Sequence, residues 1–317
     1  MKRVLVTGAA GQIGSELVPA LRQKFGKDNV VAAGHIERLP DELIDGPNTL
    51  IDVTKYEDIE NAIKEFRIDT VYHLASVLSA LAETRRKLAY EVNFTGVNNV
   101  LEASLSNGLE MVVIPSSIAA FGLDTPGENT PNDTLQKPNT VYGISKVFTE
   151  LMGNYYSTKL GLKVRGVRLP GIISWKVEPT AGTTDYAVAI FYGAIRENSY
   201  ECFLGPDTRL PMMYMPDAIS ALMGVAEADE TLLEHHADFN VNAMSFTPNE
   251  LALSIKKKLP EFEMTYRIDS LRQAIADSWP DKLDDSVASK EWGWSPKYNL
   301  DSMVDDMLCN LATKLGT

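Results

Sequence analysis

Cysteine and histidine are scarce in this chain. Two cysteines, Cys202 and Cys309, stand among 317 residues. A single pair so far apart gives neither a disulfide framework nor metal-ligand spacing, so free thiols in a reducing compartment, the cytoplasm, are expected. Of four histidines, only His235 and His236 are neighbours. Adjacent side chains point apart on a helix or strand, which makes poor co-ligands, and no metal site is expected. Basic charge is also short: 30 Lys and Arg against 43 Asp and Glu leave a net charge of -13. An acidic surface argues against nucleic acid and against anionic membranes as partners. No apolar run approaches the ~20 residues of a membrane span. The start, Met1-Lys2-Arg3-Val4-Leu5-Val6, is already strand-like, so no signal or transit peptide is expected ahead of it. Internal repeats and low-complexity tracts are missing too, and Lys256-Lys257-Lys258 reads as a solvated helix face.

What is present is length and apolar content. With 44% hydrophobic and 23% charged residues over 317 positions, the chain can bury a large core and supports two lobes. Val4-Leu5-Val6 runs into Thr7-Gly8-Ala9-Ala10-Gly11-Gln12-Ile13-Gly14, and Ile13, Leu17, Leu21 and Phe25 then follow at helical spacing. Strand, glycine turn and helix is the context in which such glycines bind a dinucleotide. Gly8 suits the tight turn, Gly11 the approach of a pyrophosphate and Gly14 close helix–strand packing. The phosphates would rest on the positive helix end.

Further strands are read at 29–33, near 50–53, at 70–75, 111–115 and 164–169, with helices between them. The alternation predicts an α/β fold, a doubly wound parallel sheet of the NAD(P)-binding Rossmann kind with a smaller C-terminal substrate lobe. The dinucleotide-binding domain is placed at 1–170, with a return segment near 236–245; the lobe takes 171–235 and 246–317. In an NAD-specific plan an acidic residue follows the second strand and binds the ribose hydroxyls. Here His35 occupies that place, followed by Glu37 and Arg38. Either Glu37 or His35 is the ribose partner, and Arg38 keeps NADP open. Asp52, next to Val53, is placed to meet the adenine edge. Residues 76–82 form a loop at the carboxyl end of the fourth strand, where ligands of such sheets bind.

Tyr142-Gly143-Ile144-Ser145-Lys146 opens a predicted helix reaching about residue 160. Tyr142 and Lys146 then project from one face, a turn apart. A phenol titrates near pH 10, and a neighbouring ammonium is expected to lower that value, making Tyr142 a proton acceptor for an alcohol. Ser116 and Ser117 follow the fifth strand, either as turn formers or, facing Tyr142, as groups that orient the alcohol.

Together Thr7-Gly8-Ala9-Ala10-Gly11-Gln12-Ile13-Gly14, His73-Leu74-Ala75, Pro115-Ser116-Ser117 and Tyr142-Gly143-Ile144-Ser145-Lys146 resemble the extended short-chain dehydrogenase/reductase superfamily. The second half narrows this. Arg168-Leu169-Pro170-Gly171-Ile172-Ile173-Ser174-Trp175, Gly182-Thr183-Thr184-Asp185-Tyr186-Ala187-Val188, Leu210-Pro211-Met212-Met213-Tyr214-Met215, Ala243-Met244-Ser245-Phe246-Thr247-Pro248 and Ala276-Asp277-Ser278-Trp279-Pro280 are similar to the short-chain type L-threonine 3-dehydrogenases. Three positions depart from that pattern: His35 for the usual Asp, Leu169 where Tyr is frequent, and Pro179-Thr180-Ala181-Gly182 for a triple glycine.

The resemblance implies oxidation of the 3-hydroxyl of L-threonine with NAD to 2-amino-3-oxobutanoate, on the route toward glycine or aminoacetone. It implies Tyr142 as base, with Lys146 and Ser117 completing the catalytic set. Cofactor contacts are expected from Gly8, Gly11, Gln12, Ile13, Gly14, His35, Asp52, Val53, Leu74, Ala75, Ser76, Asn93, Tyr142, Lys146, Leu169 and Ile172. Substrate contacts are expected from Ser79, Ser117, Tyr142, Gly171, Thr183, Thr184 and Trp279. A Thr N-cap at 183–184 would hold the substrate carboxylate at a helix end; simple capping is the alternative. Trp279 either closes the pocket or packs in the core. A homodimer through helices near 88–106 and 142–160 is the family's usual assembly. Two rivals share the first-half motifs: a nucleotide-sugar epimerase or dehydratase, and a non-catalytic NAD(P) sensor.

Overall fold

The computed structural model describes residues 1–35, 39–179 and 182–316. The main sheet is built from β1 (Val4–Thr7), β2 (Val30–Gly34), β3 (Asn48–Leu50), β4 (Thr70–His73) and β5 (Met111–Val113). After the two-residue β6 (Ser116–Ser117), its last strand is β7 (Lys163–Arg165). All six pair in parallel in the order β3-β2-β1-β4-β5-β7. That is the doubly wound order, with its topological switch between β1 and β4. Burial explains the strand composition: Val4 and Val6 pack into one apolar layer and Leu5 into the other. A strand covered on both faces carries no polar alternation.

Two interruptions matter for the site. The ladder breaks at Pro115, which has no N–H to give, and resumes as β6. The neighbouring strand breaks at Gly166 and resumes as β8 (Val167–Leu169), which pairs with β6 on one side and with β12 (Phe239–Asn240) on the other. The expected single strand at 164–169 is therefore two. A Cβ on Gly166 would lie 2.6 Å from the Ile114 carbonyl oxygen, too close for any other residue.

The remaining strands are β9 (Gly171–Ile173), β10 (Ser199–Cys202), β11 (Leu210–Tyr214), β13 (Met244–Phe246) and β14 (Glu263–Tyr266). They form a three-stranded sheet, β13-β11-β9, and a two-stranded one, β10-β14. A separate apolar cluster sits here, joining Tyr186, Ile190 and Phe191 of the helix Tyr186–Glu197 to Leu251, Met303 and Met307. The loop expected over 76–82 contains a short helix, Ser79–Thr84. The long helical stretch after it runs through Arg86–Tyr90, a π turn at Glu91–Gly96 and Val97–Ser106. No helix among the described residues is long and apolar enough to cross a membrane.

Candidate active site

A cleft of about 230 Å³ opens at the switch point, where the carboxyl ends of β1 and β4 face β9 and Tyr142. Its floor is the glycine turn. Gly8 has φ +69, and a Cβ there would sit 2.7 Å from the Ala75 nitrogen. A Cβ on Gly14 would stand 2.4 Å from the Gly8 carbonyl oxygen, so glycine lets the helix Gly14–Phe25 press against the turn. At Gly11 a Cβ meets only the Gly8 oxygen, at 3.2 Å. The missing side chain there leaves bare backbone along the cleft. The helix starts without a side-chain cap; Ser15 and Glu16 give their N–H groups to the Gly11 and Ile13 carbonyls, so it is the positive dipole end that favours an anion. This cradle fits the pyrophosphate of a dinucleotide. Gln12, Ile13, Leu74, Ser76, Leu169 and Ile172 complete the wall.

Tyr142 and Lys146 share the helix Val141–Tyr155, whose Thr140 cap accepts the Gly143 N–H at 3.0 Å. The Lys146 ammonium lies 5.3 Å from the Tyr142 ring centre and donates to the Pro115 carbonyl at 3.0 Å. The ladder break at Pro115 thus holds the lysine. Ser117, two residues on, lies near enough to the Tyr142 phenol to lower its pKa. Its hydroxyl also accepts the Ala119 N–H at 3.2 Å.

Burial opposes the expected lowering of the Tyr142 pKa. Burial pushes the Tyr142 phenol up to about 12, against a smaller lowering by Ser117. Loss of water around a phenolate disfavours the charged form. Burial also brings Lys146 down to about 8, opposed by the Glu150 carboxylate one turn further along the helix.

At the other end stand Ser79, Gly171, Thr183, Thr184 and Trp279, joined by Leu78, Pro170, Gly182 and Asp185, which sequence reasoning did not place in the site. The Thr183 hydroxyl is buried with no partner among the described residues. The helix behind it begins at Tyr186 with Asp185 in the cap position, so neither threonine is the N-cap. Asp185 instead receives the Gly182 N–H at 3.3 Å. Trp279 lines the cleft and packs against Ile118, Phe121 and Leu283, so it is both wall and core.

Five expected cofactor contacts lie outside this cleft: His35, Asp52, Val53, Ala75 and Asn93. Asn93, on the π turn, is a buried fastener. Its carboxamide accepts the Val77 N–H at 2.7 Å and donates to the Val77 carbonyl at 2.9 Å, pinning the loop after β4. Val53 is buried under Gly96, and Ala75 backs onto Gly8. His35 is exposed at the end of β2; against the effect of burial, the Thr54 hydrogen bonds, its N–H at 3.0 Å, and the nearby His35 lower the Asp52 pKa. Both sit at the carboxyl edge on the β2–β3 side. Glu37 and Arg38 lie outside the described residues, as do Thr180 and Ala181.

This chain belongs to the NAD dependent epimerase/dehydratase family, whose model matches residues 4–241. A nicotinamide cofactor is what the glycine cradle accommodates. Among its relatives, the pig L-threonine 3-dehydrogenase, mitochondrial, is 46% identical over 96% of this chain and 82% of its own length. The crystal structure of L-threonine dehydrogenase from Clostridium difficile superposes with a TM-score of 0.96 at 45% identity, covering 99% of this chain and 98% of that one. A monomeric L-threonine 3-dehydrogenase from a metagenome matches at a TM-score of 0.94 and 42% identity, covering 98% and 99%.

Proposed function

We propose that this protein oxidises the 3-hydroxyl of L-threonine with NAD, giving 2-amino-3-oxobutanoate. The observation that carries the reading is the lining of the cleft beyond the Tyr142–Lys146 pair. Hydroxyls and one carboxylate stand there, and Lys146 is the sole basic residue among the described lining residues. A nucleotide sugar would bring a second diphosphate that needs cations. A small zwitterionic alcohol needs hydroxyls, N–H groups and one negative charge. The names of the relatives point the same way.

Tyr142 takes the hydroxyl proton, and Ser117 holds the substrate oxygen against the phenol. Lys146 stabilises the phenolate as it forms; its own proton is fully present only below about pH 8. A bound oxidised nicotinamide would supply the hydride acceptor and a positive charge that favours the ionised phenol. Proton transfer by a positioned group contributes on the order of 10²–10⁴-fold. Thr183 and Thr184 bind the substrate carboxylate, and Ser79, Gly171 and Trp279 enclose the rest. The β-keto acid product loses carbon dioxide unaided, so no decarboxylating residue is required.

NAD is preferred to NADP in this reading, because the Asp52 charge near His35 disfavours a 2′-phosphate. The catalytic unit spans 1–170 with the return near 236–245, and the substrate lobe takes the rest. A homodimer fits the exposed Leu88, Tyr90, Ile144, Leu151 and Tyr155, which share two neighbouring helices. Two free cysteines suit a reducing compartment such as the cytoplasm.

The test is purified protein with L-threonine and NAD or NADP, followed by NADH absorbance. Turnover with NAD, lost in Tyr142→Phe while cofactor still binds, is expected. Activity with a UDP-sugar and none with threonine would refute the reading.

A further inference from the structure

We infer that Glu83 is a positioning residue that locks the substrate wall to the catalytic helix. The inference rests on the proposed oxidation of L-threonine and goes one residue beyond it. Ser79 and Glu83 lie on the short helix Ser79–Thr84, four residues apart and therefore on one face. Ser79 is 6% exposed and lines the cleft. Glu83 turns the other way along the same face. Its Oε1 accepts the Val141 N–H at 2.8 Å, across 58 residues of sequence.

Val141 is the first residue of the helix Val141–Tyr155, and Tyr142 follows it directly. A helix start leaves four N–H groups without internal partners. Thr140 satisfies Gly143. Val141 is satisfied from another element, by a carboxylate. The helix has no acidic residue in its own first turn, so Glu83 supplies from outside the negative charge that its positive end favours. An apolar seam runs beside this bond, where Val77, Ala82 and Ala89 pack on Val141 and Tyr142. Apolar packing alone is non-directional. The hydrogen bond gives the contact a register, and with it a fixed placement of Ser79 in the substrate wall relative to the helix that carries Tyr142.

The test compares Glu83→Ala and Glu83→Gln with the parent enzyme in steady-state oxidation of L-threonine, together with NAD affinity by calorimetry. Glu83→Ala is expected to raise KM for threonine and lower kcat/KM about 10- to 100-fold, since a small misplacement of reacting groups costs that much. NAD affinity should stay within about twofold, because the glycine cradle is untouched. Glu83→Gln should recover most of the loss, as its amide oxygen still accepts the Val141 N–H. Parent-like kinetics in Glu83→Ala would overturn the inference. So would a parallel fall in NAD affinity, which marks general damage, or a Gln variant as poor as the Ala one. A parent enzyme inactive on L-threonine would instead count against the function proposed above.

Discussion

Replacing Glu150 with alanine should cost more stability than any surface change, and the structure says why. Glu150 lies one turn past Lys146 on the catalytic helix and is 1% exposed. Its carboxylate takes both ends of the Arg168 fork, Nε at 2.9 Å and Nη2 at 2.8 Å, and also the Ser116 hydroxyl and the Gln136 amide. Arg168 is 3% exposed; its other contacts are the Asn132 carbonyl at 2.8 Å and Asn240 at 3.1 Å. Glu150→Ala therefore leaves a buried guanidinium without its counter-charge, a change that typically costs about 3–5 kcal/mol. The unfolding entropy of a chain of 317 residues is about 0.7 kcal/mol per degree, so the melting temperature should fall by about 5–7 °C. Scanning calorimetry of Glu150→Ala, Arg168→Met and Glu150→Met/Arg168→Met reads this. The double variant should be clearly more stable than the sum of the single losses, because it strands no charge. A shift under about 1 °C in Glu150→Ala, or strict additivity in the double variant, would refute the argument. The same substitution removes the charge that raises Lys146, so Lys146 should lose its proton below about pH 8 in the variant.

Gly14→Ala places a methyl 2.4 Å from the Gly8 oxygen and 2.7 Å from Ala9 atoms, all backbone; NAD affinity measured by fluorescence titration should fall at least about tenfold. His235 sits between Glu291 at 2.8 Å and Asp133 at 3.1 Å. Burial lowers its pKa, but the Glu291 bond, the Asp238 charge and the Asp133 bond outweigh it, and the net shift is upward from 6.5. A raised folded value means the clamp stabilises fully below the unfolded value and is lost as pH rises through the folded one. The gap in melting temperature between the parent and His235→Gln should accordingly be wider at pH 6 than at pH 9; an equal gap would show that the charge contributes nothing.

The glycine turn, the Tyr142–Lys146 spacing and the strand–helix alternation were legible in the residues because each rests on local geometry. A left-handed φ at Gly8, a period of four on one helix and strands buried on both faces leave direct marks in a short window. Ser117, which follows the fifth strand, also lines the cleft, and so does Ser79, to which only the family resemblance pointed. Asn93 was expected to touch the cofactor; that it instead fastens the loop at Val77 is a matter of packing.

What the sequence determined by itself was therefore the order of elements, the parallel sheet and the shared helix face of Tyr142 and Lys146, since those follow from periodicity and backbone freedom. Only the tertiary structure decided the direction of the Tyr142 pKa, the Pro115 carbonyl that holds Lys146, the start of the helix at Tyr186 and the bond from Val141 to Glu83. Each depends on how much water packing removes and on which distant segment arrives at a given donor. Desolvation and contacts across many tens of residues leave no local pattern to read.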